Sequence, residues 1–128
     1  MKAKKPLERD VQRAILDYLA MQPDFYCWRA QNAAIFDPTR KSFRRKGKYE
    51  PSGLPDILGI HSSGKMIAIE VKRPGSTYSS LSADQKAFLQ KIAAMGGAST
   101  WVRSVEEVIS FLDRVRNEAR LVNLERRV

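Results

Sequence analysis

Apolar residues recur along this chain with two periods, and the switches between them outline its elements. Leu7, Val11, Ala14, Ile15 and Leu19 fall at helical spacing and predict an amphipathic helix over 7–21, opened by Pro6 and closed by Gln22-Pro23-Asp24. The aromatic-rich stretch from Phe25 to Gln31 predicts a short strand. Residues 32–54 keep no period, hold Pro38, Gly47, Pro51 and Gly53, and read as a long loop. Residues 55–60 and 66–72 are two strands around the turn His61-Ser62-Ser63-Gly64-Lys65, a β-hairpin. Both of its faces are apolar, so it is expected at the centre of a sheet, covered on each side. After a loop over 74–81, Ser82 caps a helix running to about Met95, where Gly96-Gly97 stop it. Ala98 to Arg103 is a strand, and Ser104 with Glu107 opens a last helix through Val115, with a fraying end over the final ten residues. The order is α-β-β-β-α-β-α, an α/β chain.

Composition narrows the class. A length of 128 residues suits one domain spanning 1–128, and 43% hydrophobic with 29% charged residues is the balance of a globular chain. No apolar run approaches the ~20 residues that span a bilayer, so no membrane partner is expected. The basic start runs into Glu8, Arg9 and Asp10, not into an apolar stretch, so a signal peptide is not expected either. An intracellular protein follows, in the cytoplasm of a bacterial host or other prokaryotic cell. Cys27 is the only cysteine, which excludes an internal disulfide and a cysteine zinc cluster.

The net charge of +9 points to a polyanion, and its distribution says more. The N-terminal arm 1–5 carries +3, residues 40–48 carry +6, and the tail from Arg114 carries +3. These three segments leave −3 for the rest. Arg40, Lys41, Arg44, Arg45, Lys46 and Lys48 crowd into nine residues of the long loop, the pattern of a phosphate-binding segment. Tails and charge runs are also commonly plain solvated surface.

The hairpin holds the chemistry. A turn symmetric about Ser63 sets Ile60 opposite Met66, Leu58 opposite Ala68 and Asp56 opposite Glu70. Period two then places Asp56, Glu70 and Lys72 on one face. Like charges directly opposed destabilise a sheet, the more so among apolar neighbours. A buried acid–lysine ion pair explains any one of these residues, but no stability argument asks for the second acid. Lys72 supplies one positive charge, and a divalent cation would supply more. Mg²⁺ takes hard oxygen ligands, commonly carboxylates with substrate phosphate oxygens. Lys72 would then hold or deprotonate an attacking water, or stabilise charge in the transition state. With a basic loop to hold a backbone, the set describes metal-dependent phosphodiester hydrolysis.

Pro55-Asp56 followed by Glu70-Val71-Lys72 resembles the PD-(D/E)XK signature of restriction-endonuclease-like nucleases. Leu7-Glu8-Arg9-Asp10-Val11-Gln12, Trp28-Arg29, Ser52-Gly53-Leu54-Pro55-Asp56 and Ser82-Ala83-Asp84-Gln85 extend the likeness to the VRR-Nuc branch, from about Leu7 to Leu112. That resemblance implies a restriction-endonuclease-like α-β-β-β-α-β core with a mixed sheet flanked by helices. It implies that Asp56, Glu70, Glu8 and the Val71 carbonyl hold Mg²⁺ or Mn²⁺, that Lys72 is the catalytic lysine, and that Gln85 joins the site. Glu8 reads equally as a surface acid favoured at a helix N-terminus, and Gln85 as half of a capping box with Ser82. Arg29, Arg73 and Lys86 flank the site and would reach phosphates.

The implied activity is a DNA endonuclease of the Holliday (four-way) junction type, acting as a homodimer on branched DNA and needing no small-molecule cofactor. A nuclease for flaps, nicks or duplex, and a non-catalytic DNA-binding module of the same fold, are the alternatives. A basic RNA-binding protein would explain the charge but not the opposed acids. Of the remaining residues, His61 is expected as a solvated turn residue, Trp28 and Trp101 as core, and Ser62, Ser63, Ser79 and Ser80 lack the base a nucleophile requires. If the loop grips DNA, neutralising Arg44, Arg45 and Lys46 weakens binding. The slope of log affinity against log salt, from a titration series, then becomes shallower by up to about 3.

Overall fold

A computed structural model describes residues 7–30, 36–37, 39, 42–43 and 47–126. Helix α1 (Glu8–Ala20) buries Val11, Ile15 and Leu19, the stripe that its periodicity marks. The Asp10 carboxylate accepts from the Leu7 backbone N–H at 3.4 Å at its start. Strands β1 (Phe25–Arg29), β4 (Ile57–His61), β5 (Met66–Val71) and β6 (Ala98–Val102) form one mixed sheet in the order β1-β4-β5-β6. The hairpin register is the one the turn predicts, with Ile60 opposite Met66 and Leu58 opposite Ala68. Strands β5 and β6 run parallel, which requires a crossover, and helix α2 (Ala83–Ala94) supplies it. Within the stretch expected as loop, β2 (Phe36–Asp37) pairs with β3 (Ser42–Phe43) in a separate two-stranded ladder. Helix α3 (Val105–Arg126) follows β6.

The two faces of the sheet are covered unequally. On one, Ile57, Ile67, Ile69, Val71, Val102 and Phe25 pack under α1 and under Val108, Phe111, Leu112 and Val115 of α3. Each of these large side chains stabilises the fold by roughly 1.5–3 kcal/mol through removal from water. On the other, α2 covers only Ala68 and its neighbours Leu58 and Trp101, through Leu81, Phe88, Leu89 and Ile92.

Other expectations also change. Helix α3 continues to Arg126 where a fraying end was expected, and Lys65 Nζ donates to Glu118 at 2.9 Å along its far half. The hairpin does sit at the sheet centre, but one face is open at its turn end, where Ile60 and Met66 are 44% and 39% exposed. Trp28 is 47% exposed and not core, because its strand lies at the sheet edge beyond the reach of α2. Trp101, in contrast, packs against the cluster beneath α2.

His61 is buried, not solvated. Its ring lies tilted against Phe25 with centroids 4.6 Å apart, and its Nε2 lies 3.4 Å from Asp24. The Ser63 backbone N–H donates to His61 Nδ1 at 3.2 Å. Arg116 of α3 reaches the same Asp24 with two donors, at 2.8 and 2.9 Å, and the Ser62 N–H donates to the Asp24 carbonyl at 2.9 Å. Asp24 thus ties the α1–β1 turn to the hairpin turn and to α3.

The Arg116 guanidinium holds the Asp24 carboxyl down to about 2, from an ordinary 3.8. A depressed carboxylate contributes stability that is present above its unfolded value and lost as pH falls through the folded one. The wild type is therefore expected to lose stability between about pH 4 and pH 2 more steeply than Asp24→Asn. Urea unfolding across that range checks it, and parallel pH profiles would show that the clamp adds nothing.

Candidate functional site

The strand pairing that builds the core also brings acids together at one end of the sheet. Asp56 directly precedes β4, one rung beyond the Ile57–Ile69 pair, and so stands level with Glu70 of β5. Its backbone carbonyl accepts from Ala30 N–H at 2.8 Å, which anchors it to β1. Its Oδ2 accepts from the Val71 backbone N–H, also at 2.8 Å. In an extended strand the N–H and C=O of one residue point the same way, so the Val71 carbonyl is also aimed toward the Asp56 side.

Glu8, the first residue of α1, completes the group from the other layer. One carboxylate oxygen from each of Glu8, Asp56 and Glu70 lies within 4.8 Å of the others. Glu8 is exposed, Asp56 half-buried and Glu70 only 2% exposed.

Glu70 is the strained member. Burial pushes its carboxyl well above the ordinary carboxylate range, the neighbouring Asp56 and Glu8 push it further, and Lys72 opposes them. The Lys72 Nζ lies 3.9 Å from Glu70 Oε1. Gln85 Nε2 donates to that same oxygen at 3.4 Å. Among the described residues, Glu70 Oε2 is a buried side-chain atom without a hydrogen-bond partner. A buried carboxylate oxygen left unpaired is costly, and either a proton or a cation relieves it. An all-oxygen donor set with one orphaned buried atom fits a hard divalent cation.

Gln85 settles a choice that the pattern left open. Its Oε1 accepts from Ser82 N–H at 2.8 Å, and Ser82 Oγ accepts from Gln85 N–H at 3.1 Å, a complete capping box. The same side chain turns its amide nitrogen to Glu70. Capping α2 and contacting the acid are one arrangement.

The flanking cations divide. Arg29, Arg73 and Lys86 are each one residue from a member or anchor of the cluster: Ala30, Lys72 and Gln85. Arg29 and Arg73 are exposed, whereas Lys86 is half-buried with its Nζ 4.4 Å over the Tyr78 ring. Lys48 is exposed, 5.4 Å over Tyr49. Arg40, Lys41, Arg44, Arg45 and Lys46 lie outside the described residues. Sequence reasoning missed the wall beside Glu70, where Tyr78 meets Trp101 at 6.3 Å and Arg103 covers Trp101 at 5.2 Å. Trp101 pairs with Glu70 across β5 and β6, but Tyr78 comes from an aperiodic loop that carries no signal.

The model of the VRR-NUC domain matches residues 38–106, more than half of the chain. The chain belongs to the VRR-NUC family. A solved structure described as a VRR_NUC domain protein superposes with a TM-score of 0.59 at 20% identity, covering 86% of this chain and 88% of that one. At that identity the likeness shows the shared fold, a mixed sheet flanked by helices. No curated protein sequence matches. VRR-NUC membership places the chain in a family of nuclease type, for which DNA is the implied substrate.

Gly53 explains how this VRR-NUC domain registers its two halves. Its φ is +73°, and a Cβ there would lie 2.2 Å from the Asp84 carbonyl oxygen and 2.6 Å from Gln85 N. The loop leading to Asp56 therefore rests directly on the start of α2. Gly64 also has positive φ, at +92°, but a Cβ there meets nothing within 4 Å. Gly64→Ala is expected to cost only backbone strain, about 1–2 kcal/mol. Gly53→Ala adds a steric loss of about 1–3 kcal/mol by displacing Gln85. Urea unfolding of the two variants separates the effects, and equal losses would mean that the contact yields freely.

Proposed function

We propose that this VRR-NUC chain is a divalent-metal-dependent DNA endonuclease specific for branched structures, a four-way junction resolvase in type, working as one unit over residues 1–128. The single observation that carries the metal requirement is the orphaned, buried Glu70 Oε2 inside a cluster of three acids. Glu8, Asp56, Glu70 and the Val71 carbonyl would hold the ion, with Mg²⁺ or Mn²⁺ suited to such oxygen donors. When bound, a divalent ion polarises the scissile phosphate and acidifies a water for attack.

The chain's own residues do the rest. Asp56, fixed by Val71 N–H, and Glu70, fixed by Gln85, keep their carboxylates set before the substrate arrives. Lys72, with its side chain 14% exposed and its charge beside Glu70, is placed to hold the attacking water or to stabilise negative charge on the phosphoryl oxygens. Arg29, Arg73 and Lys86, with the basic loop, grip the flanking backbone and set its register.

Support for branched DNA is the family relation together with symmetry. Two copies related by a two-fold axis present two acid clusters, which suits paired cuts in a symmetric junction. Cutting at a flap, nick or plain duplex is the competing activity of the same site, and the substrate comparison decides between them.

Purified protein is offered labelled four-way junction, flap and linear duplex with Mg²⁺, Mn²⁺ or chelator. Junction cutting is expected with either metal and none with chelator. Asp56→Ala and Glu70→Ala are each expected to lose roughly 10²-fold or more in rate. Variants that cut like the parent would sink the assignment, whereas a preference for linear duplex would remove only the junction specificity. Sedimentation of the free protein at twice the mass of one chain is expected for the homodimer.

A further inference from the structure

Among the described residues, the sheet face that carries Glu70 is only half roofed. Across it run three rungs: Met66, Ile60 and Tyr26, then Ala68, Leu58 and Trp28, then the level of Glu70 and Asp56, where Ala30 N–H meets the Asp56 carbonyl. Helix α2 covers β6, β5 and Leu58 of β4, and among the described residues its cluster does not extend to β1. Beyond it Tyr26 is 73% and Trp28 47% exposed, and their rings lean together at 5.7 Å and 57°. An exposed tryptophan and tyrosine in contact with each other are more than scattered surface apolar residues.

Position relative to the acids gives this pair a meaning. Trp28 shares the face of Asp56 and Glu70 and lies two residues before Ala30, about 7 Å along the strand from the Asp56 level. A nucleotide next to a phosphate held at the cluster can bring its base to that ring. A base inside a duplex cannot, because its faces are covered by its neighbours in the stack. Stacking on tryptophan or tyrosine requires a base that is unpaired or turned out. A second copy of the chain laid flat over Tyr26 and Trp28 would stand across the approach to the cluster, so the ring faces suit substrate better than a protein.

We infer that Trp28, with Tyr26 beside it, is a stacking platform for a base of the strand cut at the Glu8–Asp56–Glu70 cluster, and that this chain thereby favours DNA in which the base beside the scissile phosphate is unpaired or turned out, as at a fork, a flap or an opened junction crossover. The inference rests on the nuclease assignment and adds to it the structural feature that the site reads.

The test uses the full chain in chelator, where binding is seen without cutting. A DNA fork with single-stranded arms is compared with a fully paired duplex by tryptophan fluorescence and by affinity. The fork is expected to quench wild-type fluorescence, and most of that quenching is lost in Trp28→Phe, which leaves Trp101 as the only indole. Trp28→Ala, with Tyr26→Ala as the second variant, is expected to lower the fork-to-duplex affinity ratio on the order of tenfold. Undiminished quenching in Trp28→Phe, or an unchanged ratio in both alanine variants, overturns the platform. A fall in the sedimenting mass of free Trp28→Ala or Tyr26→Ala also overturns it and gives the face to a second copy. Cutting of the same fork with Mg²⁺, compared with Asp56→Ala, is read separately. Cutting without Trp28 quenching removes the platform alone, and quenching with no cutting of fork, junction or duplex removes the nuclease assignment.

Discussion

Two carboxylates on adjacent strands, one of them almost fully buried, are the constraint around which this protein is arranged. An ion taken out of water costs several kcal/mol even after relaxation, and an acid beside it adds to that cost. The chain surrounds the pair with donors: the Val71 N–H on Asp56, the Gln85 amide on Glu70, and the Lys72 ammonium nearby. They leave Glu70 Oε2 unsatisfied among the described residues, and with it a place that would suit a cation. The stability that tolerates this deficit comes from the opposite face, where Ile15, Ile57, Ile67, Ile69 and Leu112 are completely buried.

The division of labour between faces also explains why the site lies where it does. Helix α1 belongs to the well-packed layer, yet its first residue, Glu8, reaches the acids at the end of the sheet. Helix α2 belongs to the other layer, and its capping residue Gln85 reaches the same point. Gly53 locks the two approaches together by letting the loop before Asp56 touch the α2 backbone. The cluster is thus held by two helix starts and two strand ends, all parts of the rigid framework. The same sparse cover on the α2 side leaves an open shelf of aromatic and apolar groups beside it.

Much of this was legible without coordinates because strand pairing is local. The turn at Ser63 dictates the register of β4 against β5, and period two then puts Asp56 and Glu70 side by side. Helical spacing likewise marked Val11, Ile15 and Leu19 as the inward stripe of α1. The errors came where a residue's surroundings are remote in sequence. His61 sits in a hairpin turn, yet Phe25 and Asp24 bury it, with Arg116 of α3 holding Asp24 in place. Trp28 sits in a strand with an apolar pattern, yet that strand is at the sheet edge and α2 does not reach it.

The sequence by itself determined the order of the helices and of the main-sheet strands, the hairpin register and the pairing of opposed acids, because each depends on neighbours within about fifteen residues. It also carried the VRR-NUC likeness, which rests on short motifs at fixed spacing. Tertiary structure alone decided that Glu8 joins the acids, that Gln85 caps and contacts at once, and how far α2 reaches across the sheet. Those outcomes depend on how helices from distant parts of the chain dock on a common sheet. Docking is set by packing over whole faces, and no local spacing encodes it.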